Sequence, residues 1–265
     1  MKSNIWRRLK RRNLEFIVYQ DECPDVADFW DWDKWEFATY AVLEKFLDKD
    51  HSYIDAGVHL GETILFGSQL AKKCYAVEPD PEAIRITKAN IDLNQFKNID
   101  LIEKALGEDG EVKLGLPDKT HALGNSRTSA AFKDQVFFAP SISLPSLIKE
   151  KKINDLNFIK IDVEGMEDLV LSECDDSFNL PMLVEIHTPW LYSKKIGYKT
   201  ILNFFKRYKY LYHINHSESS LNRFISIEDL SKMYVEKEKD FGGPIEAFFS
   251  ILAFNDESHL NLKWL

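Results

Sequence analysis

No stretch of the 265 residues approaches the roughly 18 apolar positions that a membrane-crossing helix needs. Leu14 to Tyr19, just after a basic N-terminus, is too short and too mixed to be the apolar segment of a secretory leader, so the expectation is a cytoplasmic chain. Cysteine is scarce. Cys23, Cys74 and Cys174 are far apart and form no C-x-x-C, which excludes a disulfide framework and reads as free thiols in a reducing compartment. There is no internal repeat and no low-complexity segment. Positive charge is outnumbered over most of the chain. The net charge is -9, and residues 1–12 hold six basic side chains (Lys2, Arg7, Arg8, Lys10, Arg11, Arg12) and no acid, which leaves the rest at -15. An acidic body argues against a nucleic-acid partner, because phosphate binding needs a positive surface. Two readings of the basic arm remain: a solvated terminus, or peripheral contact with an anionic membrane surface through Trp6 and Leu9 as shallow anchors.

A hydrophobic content of 45% and an aromatic content of 13% are enough to build a buried core. Residues 1–50 read as an N-terminal extension, the basic arm plus a helix whose stripe is Phe37, Tyr40, Ala41, Leu43, Glu44 and Leu47. From residue 51 to 265 strand-like and helix-like segments alternate, which predicts an α/β domain with a doubly wound, mainly parallel sheet covered on both faces. The predicted strands are Tyr53 to Ala56, Cys74 to Glu78, Ile99 to Ala105, Phe158 to Asp162, Leu183 to His187, Tyr210 to Ile214 and Phe248 to Phe254. Predicted helices include Glu62 to Ala71, Pro81 to Asn94 and Lys199 to Arg207. Residues 106–152 are too long for a plain crossover and read as an insertion shaping a substrate site.

Four segments carry chemistry. Asp55-Ala-Gly57-Val-His-Leu-Gly61-Glu-Thr63 follows a strand and opens a helix, where glycines admit a ligand close to the backbone and free N–H groups face it. It lacks the middle glycine of G-x-G-x-x-G, which argues against a nicotinamide-dependent oxidoreductase, the alternative from fold alone. Glu78 ends the second strand, placed to accept the ribose hydroxyls of an adenosine-containing ligand, while Asp80 suits the cap of the helix that Pro81 begins. Phe158-Ile-Lys-Ile-Asp162-Val-Glu164-Gly165-Met-Glu167 brings carboxylates to the same sheet edge; Glu167 also suits a cap, and Lys160 inside the strand needs an acid partner. Leu183-Val-Glu185-Ile-His187 sets Glu185 and His187 on one face, where a histidine is either structural or a general base.

Taken in this order over residues 51–190, the segments resemble the FkbM family of methyltransferases, most specifically in Glu78-Pro-Asp-Pro81, Asn90-Ile-x-Leu-Asn94, Lys160-Ile-Asp-Val-Glu-Gly165 with Glu167, and Glu185-Ile-His187. The chain departs from the family at Val58-His59, where Ala-Asn is common. The resemblance implies a Rossmann-like, seven-stranded sheet of the class I methyltransferase type with an antiparallel last strand. It implies S-adenosylmethionine as methyl donor and O-methylation of a hydroxyl on a sugar, glycan or related natural product. Asp55, Gly57 and Gly61 would line the methionine end of the cofactor, Glu78 its ribose and Ala105 the adenine, with Asp162, Glu185 and His187 facing the transferred methyl.

On this reading His187 takes the acceptor's proton, with Asp162 or Glu185 orienting it. A divalent metal at Asp162, Glu185 and His187 is an alternative that the same residue types allow. A cofactor-binding scaffold without activity is the non-enzyme alternative, against which the intact Glu78, Asp162 and His187 argue. Asp28-Phe-Trp30-Asp-Trp32-Asp-Lys-Trp35 offers indoles and acids suited to saccharide rings, or a core anchor or oligomer contact, and Arg127 in the loop Asn125 to Ser129 has the reach for an acidic acceptor group.

Overall fold

A computed structural model describes residues 6–19, 37–115, 136–187, 197–215, 222–239 and 248–261. Cys23, the Trp30/Trp32/Trp35 segment and the loop Asn125 to Ser129 lie outside the described residues. The chain opens with a hairpin, β1 (Trp6–Arg11) and β2 (Leu14–Tyr19), and after α1 (Phe37–Phe46) enters an alternating run. That run is β3 (Ser52–Ala56), α2 (Glu62–Ser68), β4 (Lys73–Val77), α3 (Pro81–Asn94) and β5 (Ile99–Ile102). Three short strands follow, β6 (Ala105–Leu106), β7 (Gly110–Leu114) and β8 (Phe137–Ile142), then α4 (Leu144–Glu150), β9 (Leu156–Ile161), α5 (Glu167–Ser172) and β10 (Met182–His187). The chain closes with α6 (Gly197–Phe205), β11 (Tyr210–Ile214), β12 (Arg223–Ile225), α7 (Ile227–Lys239) and β13 (Phe248–Phe254).

The main sheet has eight strands in the order β12-β11-β13-β10-β9-β3-β4-β5. β3, β4, β5, β9 and β10 run parallel, and β13 is antiparallel to both of its neighbours, β10 and β11. The seven expected strands are all present, and the short edge strand β12 is an eighth. Period-two alternation feeds two cores. Ile54, Ile159, Ile161 and Val184 pack on one face, and Tyr53, Cys74, Phe158 and Leu183 on the other. The chain winds outward through β3, β4 and β5, then returns to place β9 on the other side of β3. The order therefore reverses between β3 and β9, and the crevice beyond their carboxyl ends is where such sheets hold ligands.

Two expectations change. The start of the chain is a hairpin, where a basic arm leading into a helical extension was expected. Its alternation puts Leu9 and Arg11 inward on β1, and Phe16 and Val18 inward on β2, all into the core that β3 also supplies. Leu9 is buried, so it is unavailable as a membrane anchor, while Trp6 stays exposed. The third strand also ends early. Lys104 N–H turns back to the Ile102 carbonyl, and Ala105 leaves for a separate three-stranded sheet, pairing in β6 with β8. Among the described residues no helix is long and apolar enough to cross a membrane.

Candidate active site

The turn after β3 is held from below. Asp55 is fully buried, accepts a hydrogen bond from Thr63 Oγ1 at 2.7 Å and lies 3.8 Å from Lys160 Nζ. It anchors the turn and offers little surface to a ligand. Gly57 sits at φ +80°, and a Cβ there would stand 1.7 Å from the Asp162 carbonyl oxygen, so β3 and β9 touch through a bare backbone. Gly61, at φ +90°, precedes α2 and faces Thr87. The Gly57 N–H donates to the Val77 carbonyl, which ties the turn to the end of β4.

His59 stands where the family commonly has Asn, at φ +48°. That left-handed region favours Asn and tolerates His among side-chain-bearing residues. Its backbone does the local work: the N–H donates to Glu78 Oε2 at 2.8 Å, and the carbonyl accepts from Thr87 Oγ1 at 2.7 Å. The departure from the family pattern thus preserves the turn. Glu78 is buried, and its other oxygen accepts from the Asp80 N–H at 3.0 Å. Each oxygen keeps a lone pair beyond these bonds, which fits a vicinal pair of ribose hydroxyls. Burial pushes the Glu78 carboxyl up to about 7, against the pull of the two backbone hydrogen bonds. Asp80 caps α3 by accepting from the N–H groups of Glu82 and Ala83.

The two asparagines of α3 acquire a role that their spacing did not reveal. Asn90 donates to the Leu60 carbonyl in the glycine turn and accepts from the Tyr19 N–H of β2. Asn94 binds both the N–H and the carbonyl of Ile17. The hairpin and the turn are thereby clamped to one helix. Ala105 is buried within its small sheet and does not line the open groove of about 370 Å³ beside it, which Pro79, Ile84, Phe137 and Phe138 help to form.

Across the crevice, β9, its following loop and β10 bring four carboxylates around one imidazole. His187 Nδ1 hydrogen-bonds Glu167 Oε1 at 2.8 Å. Its Nε2 lies 3.3 Å from Glu185, 3.4 Å from Glu164 and 3.9 Å from Asp162. Lys160 finds the acid partner it needs in Asp162 Oδ2, at 3.0 Å. Glu167 Oε1 also accepts from the Gly165 N–H, so the residue that spacing suggested as a cap is chiefly the orienting partner of His187. Glu164 reaches the cluster from a left-handed backbone, φ +51°. Burial works against a charged ring at His187, but the carboxylates of Glu164 and Glu167 and the hydrogen bonds to Glu167 and Glu185 outweigh it and raise the imidazole well above its ordinary range. This arrangement favours the protonated imidazole, whereas a general base needs a free lone pair. The structure brings Asp162, Glu185 and His187 together as expected; the shares of Glu164 and Glu167 were signalled only by their place in the Asp162-to-Glu167 run.

A family model described as the methyltransferase FkbM domain matches residues 55–212, more than half of the chain. Curated proteins that match include an uncharacterized protein of Methanocaldococcus jannaschii, 38% identical over 62 residues that make up 23% of this chain and 24% of that protein. An uncharacterized RNA methyltransferase of Oceanobacillus iheyensis is 43% identical over 54 residues, 20% of this chain and 12% of that protein. The chain thus spans less than a quarter of either relative. Among solved structures, the fibrillarin/Nop5p complex is similar with a TM-score of 0.47 and 11% identity, covering 91% of this chain and 94% of that one. A putative methyltransferase from Streptococcus mutans in complex with SAH is similar with a TM-score of 0.41 and 13% identity, covering 82% and 96%.

Proposed function

The chain belongs to the FkbM methyltransferase family, and from that premise we propose that it methylates a hydroxyl on a sugar, glycan or related small natural product. Its cofactor is S-adenosylmethionine, which supplies a methyl group activated on a sulfonium. The observation that supports the finer reading is the meeting of the Gly57 turn with the Asp162 backbone, which sets the Glu78 cradle and the Asp162–Glu185–His187 cluster on two sides of one crevice. The turn from Gly57 to Gly61 receives the methionine end, and Glu78 accepts the ribose hydroxyls. Asp162, Glu185 and His187 orient the acceptor oxygen. In the transfer the S–CH₃ bond breaks with its electron pair left on sulfur, an O–CH₃ bond forms, and the hydroxyl proton passes to the cluster's carboxylates. Glu164 and Asp162 are the more open of these, at 22% and 16% side-chain exposure against 13% for Glu185. Alignment supplies much of the rate, with oxygen and methyl held about 3–3.5 Å apart.

The acidic body favours an uncharged acceptor over RNA. The match to an RNA methyltransferase covers too little of that protein to bring its acceptor here. The segment after β9, Asp162-Val-Glu-Gly165, also lacks the Pro-Pro-aromatic run associated with amine targets. The test begins with calorimetric titration of S-adenosylhomocysteine into wild type and Glu78→Ala, where binding to the first and severe weakening in the second are expected. Labelled methyl is then followed onto saccharide, amine and RNA acceptors. Label on amine or RNA, or none on any hydroxyl, overturns the reading. His187→Ala, which removes a group that orients the acceptor oxygen, is expected to lower turnover about 10²-fold with cofactor binding retained.

A further inference from the structure

We propose that Asp162, Glu185 and His187 bind a divalent cation of the Mg²⁺ or Mn²⁺ class, which takes the acceptor hydroxyl as a further ligand; this rests on the O-methyltransfer reading above. One donor atom from each residue lies within 4.8 Å of the other two. Around a six-coordinate ion with bonds of about 2.0–2.1 Å, neighbouring ligands stand about 3 Å apart and opposite ones about 4 Å. The observed Nε2 separations of 3.3 Å to Glu185 and 3.9 Å to Asp162 are close to those spacings, so modest side-chain rotation completes the set. Two carboxylates and one imidazole, without a thiolate, suit a hard or borderline ion that keeps water and substrate in its remaining positions.

Two further observations bear on a cation. The first is how the histidine is held. Its Nδ1 is fixed by the fully buried Glu167, which aims Nε2 at the other two ligands; metal-bound histidines are held in this carboxylate–imidazole arrangement. The second is charge. Four carboxylates gather within 3.9 Å of one ring, and Glu167 Oε2 is buried without a hydrogen-bond partner. These carboxylates outnumber the two cationic groups beside them, Lys160 and the imidazole, and a divalent ion that displaces the Nε2 proton supplies further positive charge. Asp162, one of the three ligands, meets Gly57 through its backbone carbonyl, so an ion here adjoins the turn that receives the methionine end of the cofactor. It acidifies the hydroxyl bound to it. Glu164, which the ligand set leaves over, receives the proton, and the resulting alkoxide displaces the sulfide from the methyl.

The experiment titrates Mn²⁺ into the chelator-stripped full-length chain and reads free Mn²⁺ by electron paramagnetic resonance, with and without S-adenosylhomocysteine. One saturable site per chain is expected. Glu185→Gln and Asp162→Asn, both close in shape to the native side chains, should weaken it at least about 10–100-fold, and the positioning change Glu167→Gln by a similar factor. No saturable Mn²⁺ binding to wild type overturns the inference, and so does binding that survives both ligand substitutions. Calorimetry of S-adenosylhomocysteine on the same samples separates the two claims. Cofactor bound without Mn²⁺ removes only the metal, whereas failure of the cofactor to bind removes the transferase reading itself. The wild-type titration decides the first point even where a variant fails to fold.

Discussion

Gly57 and Glu78 show how narrow the tolerances are at single positions. A Cβ at Gly57 is 1.7 Å from a backbone oxygen, and its φ of +80° is strained for any other residue. Gly57→Ala is therefore expected to cost at least about 1–3 kcal/mol in backbone strain, before the clash is counted, and to abolish S-adenosylhomocysteine binding; thermal melting and calorimetry check both. Glu78 titrates near 7 because burial opposes its charge. Its ionised form is the better acceptor for ribose hydroxyls, so cofactor affinity should fall as pH drops through 7, by up to about tenfold per pH unit for one linked proton. Folding responds with the opposite sign. The folded value lies above the ordinary glutamate value of 4.5, so the contribution of the neutral form is complete below 4.5 and is lost as pH rises through about 7. Melting curves from pH 5 to 8, with and without S-adenosylhomocysteine, should diverge for wild type and run more nearly parallel for Glu78→Gln. The sequence made Glu78 legible because an acid ending a second strand has few other uses. The hold of Glu167 on His187 was not legible, because 20 residues separate them and only the β9–β10 pairing brings them together.

At the scale of elements the hairpin is the part whose sequence misled. Its arginines drew the eye to surface charge, but every second residue points inward. Arg11 and Glu62 form an ion pair at 2.5 Å with side chains only 4% and 5% exposed, and Tyr40 interacts with both. Arg11→Met alone leaves the buried Glu62 without its cation and should cost about 3–5 kcal/mol, whereas Arg11→Met with Glu62→Leu should recover much of it; denaturant unfolding of both variants measures the difference. Helix α3 was predicted to the residue, its start marked by Asp80 and Pro81; the left-handed Gln95 that ends it came from the structure. What it clamps was hidden, since an asparagine's partner in another element leaves no trace in spacing. Asn94→Ala should strip both hydrogen bonds from the half-buried Ile17 backbone, costing about 0.5–1.5 kcal/mol for each and speeding amide exchange in β2.

For the molecule as a whole, strand and helix alternation was enough to reveal the doubly wound sheet, because a strand buried on both faces must be apolar throughout. β6 and β12 escaped notice because two or three residues carry no period. The overall charge of -9 predicts no retention of RNA in a gel-shift assay at about 0.15 M salt, and a shift there would reopen the choice of acceptor. The reversal between β3 and β9 also bears on synthesis. A ribosome has made β3, β4 and β5 long before β9 emerges, so the inner edge of β3 waits unpaired while about 100 further residues are translated. Until then Gly57 has no Asp162 against which to close. A nascent chain can therefore lay down the proposed ribose contact at Glu78 early, but it lacks the Asp162 side of the proposed site until the strand at the centre of the sheet is in place, and an early stop leaves an apolar parallel edge open to other chains.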